Sequence, residues 1–138
     1  MFKHTVEYKD YNDQPRKEDL YFHLATHEMV RIEAEIGKNL QEHIQDLTLN
    51  NKSSELLAFL EKMLLSSYGE KTADGKSFYK TKEIREAFEY SQAYAEIFED
   101  IILDSSLAQR FGEKVTDGNK DKKNHVPPQV VVDNKPSQ

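Results

Sequence analysis

The hydrophobic period of this chain changes once, near Thr26, and that change restricts the fold more than any other feature. Before it, Phe2, His4, Val6 and Tyr8 alternate with Lys3, Thr5, Glu7 and Lys9. A period of two places the first set on the buried face of a strand. Asn12-Asp13-Gln14-Pro15 is turn chemistry, because Asn and Asp bond their own backbone and Pro fixes φ. Leu20, Phe22 and Leu24 then alternate with Tyr21 and His23, which predicts a second strand and an antiparallel hairpin over residues 2–24. A lone hairpin is marginal in water, so it needs a partner layer, and the helices that follow are the candidate.

After Thr26 the period is helical. Met29, Ile32, Ile36, Leu40, Ile44 and Leu47 predict one helix over residues 27–46, capped by Thr26, with Glu28 in the first turn where the helix dipole favours an anion. Gly37 inside it costs about 1 kcal/mol relative to Ala and marks a place for a bend or break. Residues 50–52 connect to a second helix, capped by Ser53 or Ser54. Its residues Leu56, Leu57, Phe59, Leu60, Met63, Leu64 and Leu65 cover more than half of the circumference, as in a central helix packed on two sides. Gly69 stands where a left-handed residue would end that helix. A polar turn follows at residues 72–76, with Asp74 and Gly75 at its tip, and Phe78 and Tyr79 return the chain to the core.

Thr81 caps a short helix carrying Ile84, Ala87 and Phe88, and Ser91 re-caps the chain after a kink. Tyr94, Ile97, Phe98, Ile101 and Ile102 form a strong helical stripe. Asp104-Ser105-Ser106 is a break, and Leu107, Ala108 and Phe111 make a last short helix stopped at Gly112. The expected class is therefore α+β: mainly α, a compact bundle of about four to five helices over residues 27–112 with a small N-terminal antiparallel β-hairpin. A chain of 138 residues suits one core, placed here in a single folded domain of residues 1–115.

Residues 116–138 differ in composition. They hold Pro127, Pro128 and Pro136, a charged run from Lys120 to Asn124, and no aromatic residue. This reads as a flexible, disordered tail. Within it Val130-Val131-Val132 is a short β-prone patch, read either as incidental or as a strand that orders on a partner's edge. Four lysines stand against three aspartates in the tail, so the acidity behind the net charge of −6 resides in the body. That balance argues against a nucleic-acid partner, which demands clustered Lys and Arg. An acidic body suits either a basic client or plain solubility. The chain has no cysteine, which excludes disulfides and thiolate metal sites. No apolar run approaches the roughly 20 residues that span a bilayer, and the polar, alternating N-terminus has no apolar signal core, so no membrane partner is expected.

Catalytic and metal patterns fail on inspection. His23 and His27, with Glu28, are the one cluster resembling a metal site, but His23 falls on a strand and His27 at a helix start, so one helical face does not present both. Residues 70–81 imitate a calcium loop, with Asp74 and Gly75 at its fifth and sixth positions, yet Thr81 stands where a bidentate Glu is required. No serine sits in a nucleophile elbow. Glu83, Glu86 and Glu89 follow the spacing of a solvated helix face. No enzyme, cofactor or metal is expected. Tyrosine stands out instead: Tyr68, Tyr79, Tyr90 and Tyr94 gather in one stretch, and a Tyr ring suits a core boundary and an interface equally.

That stretch carries a resemblance. Leu65-Ser66-Ser67-Tyr68-Gly69-Glu70-Lys71, then Asp74-Gly75-Lys76-Ser77-Phe78, Arg85-Glu86-Ala87-Phe88, Ser91-Gln92-Ala93-Tyr94 and Ile97-Phe98, together with Asp19-Leu20-Tyr21-Phe22-His23-Leu24 leading into Glu28-Met29, resemble the tail assembly chaperones of long-tailed, siphovirus-type bacteriophages. The likeness covers about residues 5–111. It implies a non-enzymatic protein of the host bacterial cytoplasm. Such a protein binds the tape measure protein, recruits tail tube subunits during tail assembly, and is absent from the mature virion. It also raises self-association and a longer frameshifted form. Tyr68, Gly69, Asp74, Gly75, Phe78, Phe88, Tyr94 and Phe98 are the candidate structural and interaction residues. The competing readings are a structural phage protein, such as a head–tail connector or tail component, and a small host-acting adaptor.

Overall fold

In the computed structural model, which describes residues 1–116, the N-terminal hairpin forms as the alternation requires. Strand β1 (Phe2–Lys9) pairs antiparallel with β2 (Pro15–Phe22), setting Phe2 opposite Phe22 and Val6 opposite Glu18. The Asp10 carboxylate closes the turn by accepting from the N–H of Asn12 at 2.8 Å and of Gln14 at 3.0 Å. Two further strands extend the sheet in the order β1-β2-β3-β4: β3 (Tyr68–Lys71) and β4 (Phe78–Tyr79), both antiparallel to their neighbours. The class is α+β, with six helices and four strands among the described residues.

The helices are α1 (Thr26–Ile36), α2 (Leu40–Leu49), α3 (Ser53–Ser67), α4 (Lys82–Glu89), α5 (Gln92–Leu103) and α6 (Ser105–Lys114). The helix expected over residues 27–46 is two helices, because Gly37 takes a φ of +79° and ends α1. Asn39 then caps α2, its side chain accepting from the Glu42 N–H at 2.9 Å, and the buried Glu33 carboxylate accepts from the Leu40 N–H at 2.9 Å. At the start of α1 the cap is Ala25 rather than Thr26, and the Glu28 carboxylate supplies the reciprocal bond by accepting from the Ala25 N–H at 2.9 Å. Neither Ser53 nor Ser54 caps α3. Lys52 does so, with no side-chain bond. Thr81, Ser91 and Asp104 cap α4, α5 and α6 through side-chain oxygens.

Three other expectations are corrected. Gly69 is not a left-handed terminator: α3 ends on Tyr68 in extended geometry, and Gly69 lies in β3. Phe78 and Tyr79, expected to return the chain to the core, form strand β4, and Tyr79 stays exposed. Gly112 does not stop the last helix, which continues to Lys114 and leads to the fully buried Val115. Its backbone carbonyl accepts from the Leu24 N–H at 2.9 Å, so burial at both ends outweighs the helix cost of one glycine. The expected tail from residue 117 on, with its Val130–Val132 patch, lies outside the described residues.

The core joins both layers. Phe22, Leu24, Leu64 and Ile97 are essentially inaccessible to solvent, and Phe2, Val6 and Leu20 face them from the hairpin. Helix α5 packs on β1, and Phe111 of α6 meets Phe2 and Phe22 edge-on at 5.3 and 5.8 Å. Each such side chain contributes roughly 1.5–3 kcal/mol on burial. Lys80 ties three elements together. Its ammonium donates to the His23 carbonyl at 2.9 Å and pairs with Glu28 at 2.5 Å, joining the end of β2, the start of α1 and the link into α4.

Candidate interaction surface

Four of the eight candidate residues converge into one chain of rings. Tyr68 stacks on Phe88, with centroids 3.8 Å apart and planes at 10°. Phe88 meets Tyr94 edge-on at 5.2 Å, and Tyr94 meets Phe98 at 5.7 Å. Phe22 completes the inner end, 5.6 Å from Tyr68 and 5.8 Å from Phe88. The chain therefore runs from the sheet core outward along α5, through a buried Phe88 to half-buried Tyr94 and Phe98. Edge-on and stacked aromatic pairs add roughly 0.5–1.5 kcal/mol beyond area burial, so the outer rings are held in place.

The other four candidates lie apart, on the β3–β4 hairpin. Asp74 and Gly75 form its exposed tip. Gly75 takes a φ of +76°, and the Asp74 carboxylate accepts from the Thr72 hydroxyl at 2.6 Å and the Lys76 N–H at 3.0 Å. Those bonds, Thr72 first, hold the Asp74 carboxyl below its ordinary range. Phe78 is half-buried against the His23 ring at 6.4 Å. At Gly69 strand β4 leaves no room for a side chain: a Cβ there would lie 2.6 Å from Phe78 Cε2 and 2.7 Å from the Tyr79 carbonyl oxygen.

The outer end of the ring chain opens into a groove of about 560 Å³. Tyr94, Ala95, Phe98, Ile102 and Leu103 of α5 line it, with Glu61 of α3 and Glu99 at its rim. Ile102 is 50 % exposed and Leu103 77 %, a large apolar exposure for adjacent residues. The stripe read from the sequence splits here: Ile97 and Ile101 point into the core, while Tyr94, Phe98 and Ile102 lie one helical step round, at the groove. Leu103, Glu61 and Glu99 were not among the candidates. Their signal is tertiary, since only the packing of α5 on β1 decides which flank of the stripe is left over.

Negative charge surrounds the groove. Burial, then the neighbouring Asp100 and Glu99 carboxylates, push the Glu96 carboxyl up. Tyr94 carries its hydroxyl buried and out of hydrogen-bonding geometry, facing Glu61. Burial, the Glu61 carboxylate and Glu89 push that phenol far above its ordinary range. Such a surface favours a partner with apolar side chains and positive charge. It holds no nucleophile–base pair. Among the described residues no group of three or more His, Asp or Glu side chains gathers as a metal site, and no helix is long and apolar enough to cross a membrane.

No curated protein and no solved structure matches the chain. A family model described as phage tail assembly chaperone matches residues 1–123, which includes the sheet, all six helices and the α5 groove. On that match over most of its length, the chain belongs to the phage tail assembly chaperone family.

Proposed function

We propose that this chaperone acts in the host bacterial cytoplasm on a siphovirus-type tail, binding the tape measure protein and recruiting tail tube subunits to it without catalysis. The observation that carries the reading is the α5 groove: an apolar floor of Phe98, Ile102 and Leu103 beside Glu61 and Glu99. An amphipathic helix of a long assembly client, apolar on one face and basic at its flanks, meets both demands. A second copy of this chain in the same groove would set acidic rim against acidic rim, so charge favours a client over self-pairing at this site.

Co-expression tests the reading. A tape measure protein from the same phage is expected to become more soluble and to co-purify with the chain, and purified virions are expected to lack the chain by mass spectrometry. No gain in solubility together with no co-purification rejects the reading. Presence in the virion would favour a connector or other tail component.

A further inference from the structure

The α5 groove is aromatic at one end, and its charge is one-sided. Tyr94 and Phe98 meet there at 5.7 Å with their planes at 70°. Glu61 reaches the groove from α3 and Glu99 from α5. Helix α5 carries Glu96, Glu99 and Asp100 and no Lys or Arg. Of these three and Glu61, Asp100 alone has an ion-pair partner among the described residues, His4 Nε2 at 3.1 Å. The excess is felt locally, since burial and then Asp100 and Glu99 push the Glu96 carboxyl up. The Tyr94 hydroxyl is buried, facing Glu61 but out of hydrogen-bonding geometry.

An apolar helix face alone leaves this end of the groove unanswered. Two carboxylates on two different helices call for a donor that spreads over both, and the two rings call for a cation with a flat face. A guanidinium meets both demands. Its five N–H donors lie in one plane, it stacks on aromatic rings, and it gives up water more readily than an ammonium. A lysine ammonium is a compact, strongly hydrated charge with no such face. We infer that the groove holds one arginine of a partner helix, its guanidinium laid against Tyr94 and Phe98 and bonded to Glu61 and Glu99. Apolar residues of the same helix cover Ile102 and Leu103, about one turn farther along α5 than Phe98. Fixing Glu61 on a cation also holds an acceptor beside the buried Tyr94 hydroxyl. The inference rests on the groove being the client's seat and deepens that reading: the client helix is recognised by an arginine, not by positive charge in general.

Peptides about five helical turns long test it on the whole 138-residue chain. They share a leucine stripe on an alanine and glutamine background and differ at one residue beside the stripe, midway along: arginine, lysine or citrulline. Citrulline keeps the shape of arginine without its charge. By isothermal titration calorimetry the arginine peptide is expected to bind at least about tenfold tighter than either of the others, because each of them lacks the charged fork. That advantage is expected to shrink below about threefold when Glu61→Gln and Glu99→Gln are combined, with the melting temperature as the check on folding. Equal binding of the arginine and lysine peptides overturns the arginine assignment, as does an arginine preference that survives both substitutions. In either case the peptides still bind, and the groove stands as the client's seat. If none of the three binds, or if all bind the Ile102→Glu/Leu103→Glu variant as well as the native chain, the reading of the groove itself fails, and the inference with it.

Discussion

Tyr68 and Phe88 lie face to face, 3.8 Å between centroids, although one closes α3 and the other sits near the end of α4. The pair fastens the long helix to the segment that leads into α5, with Phe22 of the sheet edge-on to both. Phe88 is 3 % exposed, so Phe88→Ala opens a cavity at the junction of three elements. The expected cost is about 3–5 kcal/mol in a denaturant titration. Tyr68→Phe keeps the ring and removes only a hydroxyl that burial already pushes to a raised pKa, and it is expected to cost under about 1 kcal/mol. Equal losses for the two variants would show that the stack does not organise the junction.

Gly69 is intolerant for a reason of space, not of backbone angle. Its missing Cβ would meet Phe78 Cε2, the Tyr79 carbonyl oxygen and Lys80 Cγ all within 2.8 Å. Alanine is therefore already too large, and Gly69→Ala is expected to lower stability by about 1–3 kcal/mol, the usual range for overpacking. At Gly75 nothing lies within 4 Å of an added Cβ, so Gly75→Ala carries only the cost of its positive φ. Thermal melts of the two variants separate the mechanisms: Gly69→Ala should fall further. A milder effect at Gly69 than at Gly75 would contradict the close approach of β3 and β4.

Glu28 makes stability depend on acid. Burial raises its carboxyl pKa, but the Lys80 ion pair and the Ala25 N–H outweigh burial and leave it lowered from an ordinary 4.5. A carboxylate whose folded pKa is depressed contributes stability above its unfolded value and loses it as pH falls through the folded one. The melting temperature of the native chain is thus expected to drop below about pH 4.5, and the Glu28→Gln variant to lose less over the same range. Melts between pH 3 and pH 7 check this. Parallel pH curves for the two chains would remove Glu28 from the account.

Much of this architecture was readable because local rules and tertiary packing agree. The alternation of Phe2, Val6, Leu20 and Phe22 forms the hairpin it predicts, and Thr81 and Ser91 cap the helices expected of them. Gly37 breaks a helix at the marked position. Strands β3 and β4 were not readable: four and two residues are too few to show a period, and Gly69 pairs with Tyr21, far away in sequence. The end of α6 escaped notice for a related reason. Gly112 looks like a stop until Phe111 and Val115 are seen docked against Phe2, Phe22 and Leu24. The candidate surface was half legible. Its rings were singled out, but the rim of Glu61 and Glu99 depends on how α3 and α5 lie together.

The α5 groove separates a structural role from a client role by exposure alone. Ile101 is buried and Ile102, its neighbour, is 50 % exposed, so equal chemistry at adjacent positions tests two different functions. Ile101→Glu buries an unpaired charge and is expected to unfold the chain or lower its melting temperature sharply. Ile102→Glu combined with Leu103→Glu changes only exposed side chains, with an expected stability change within about 0.5 kcal/mol each. The double variant nonetheless removes the apolar floor and adds charge to an acidic rim, so it should no longer solubilise the tape measure protein on co-expression. Reversing the rim with Glu61→Lys and Glu99→Lys should weaken co-purification less, and that loss should shrink as salt rises, because exposed charges are screened. If the Ile102 and Leu103 variant folds and still carries its client, the client binds elsewhere on the chaperone and the groove has no part in recognition.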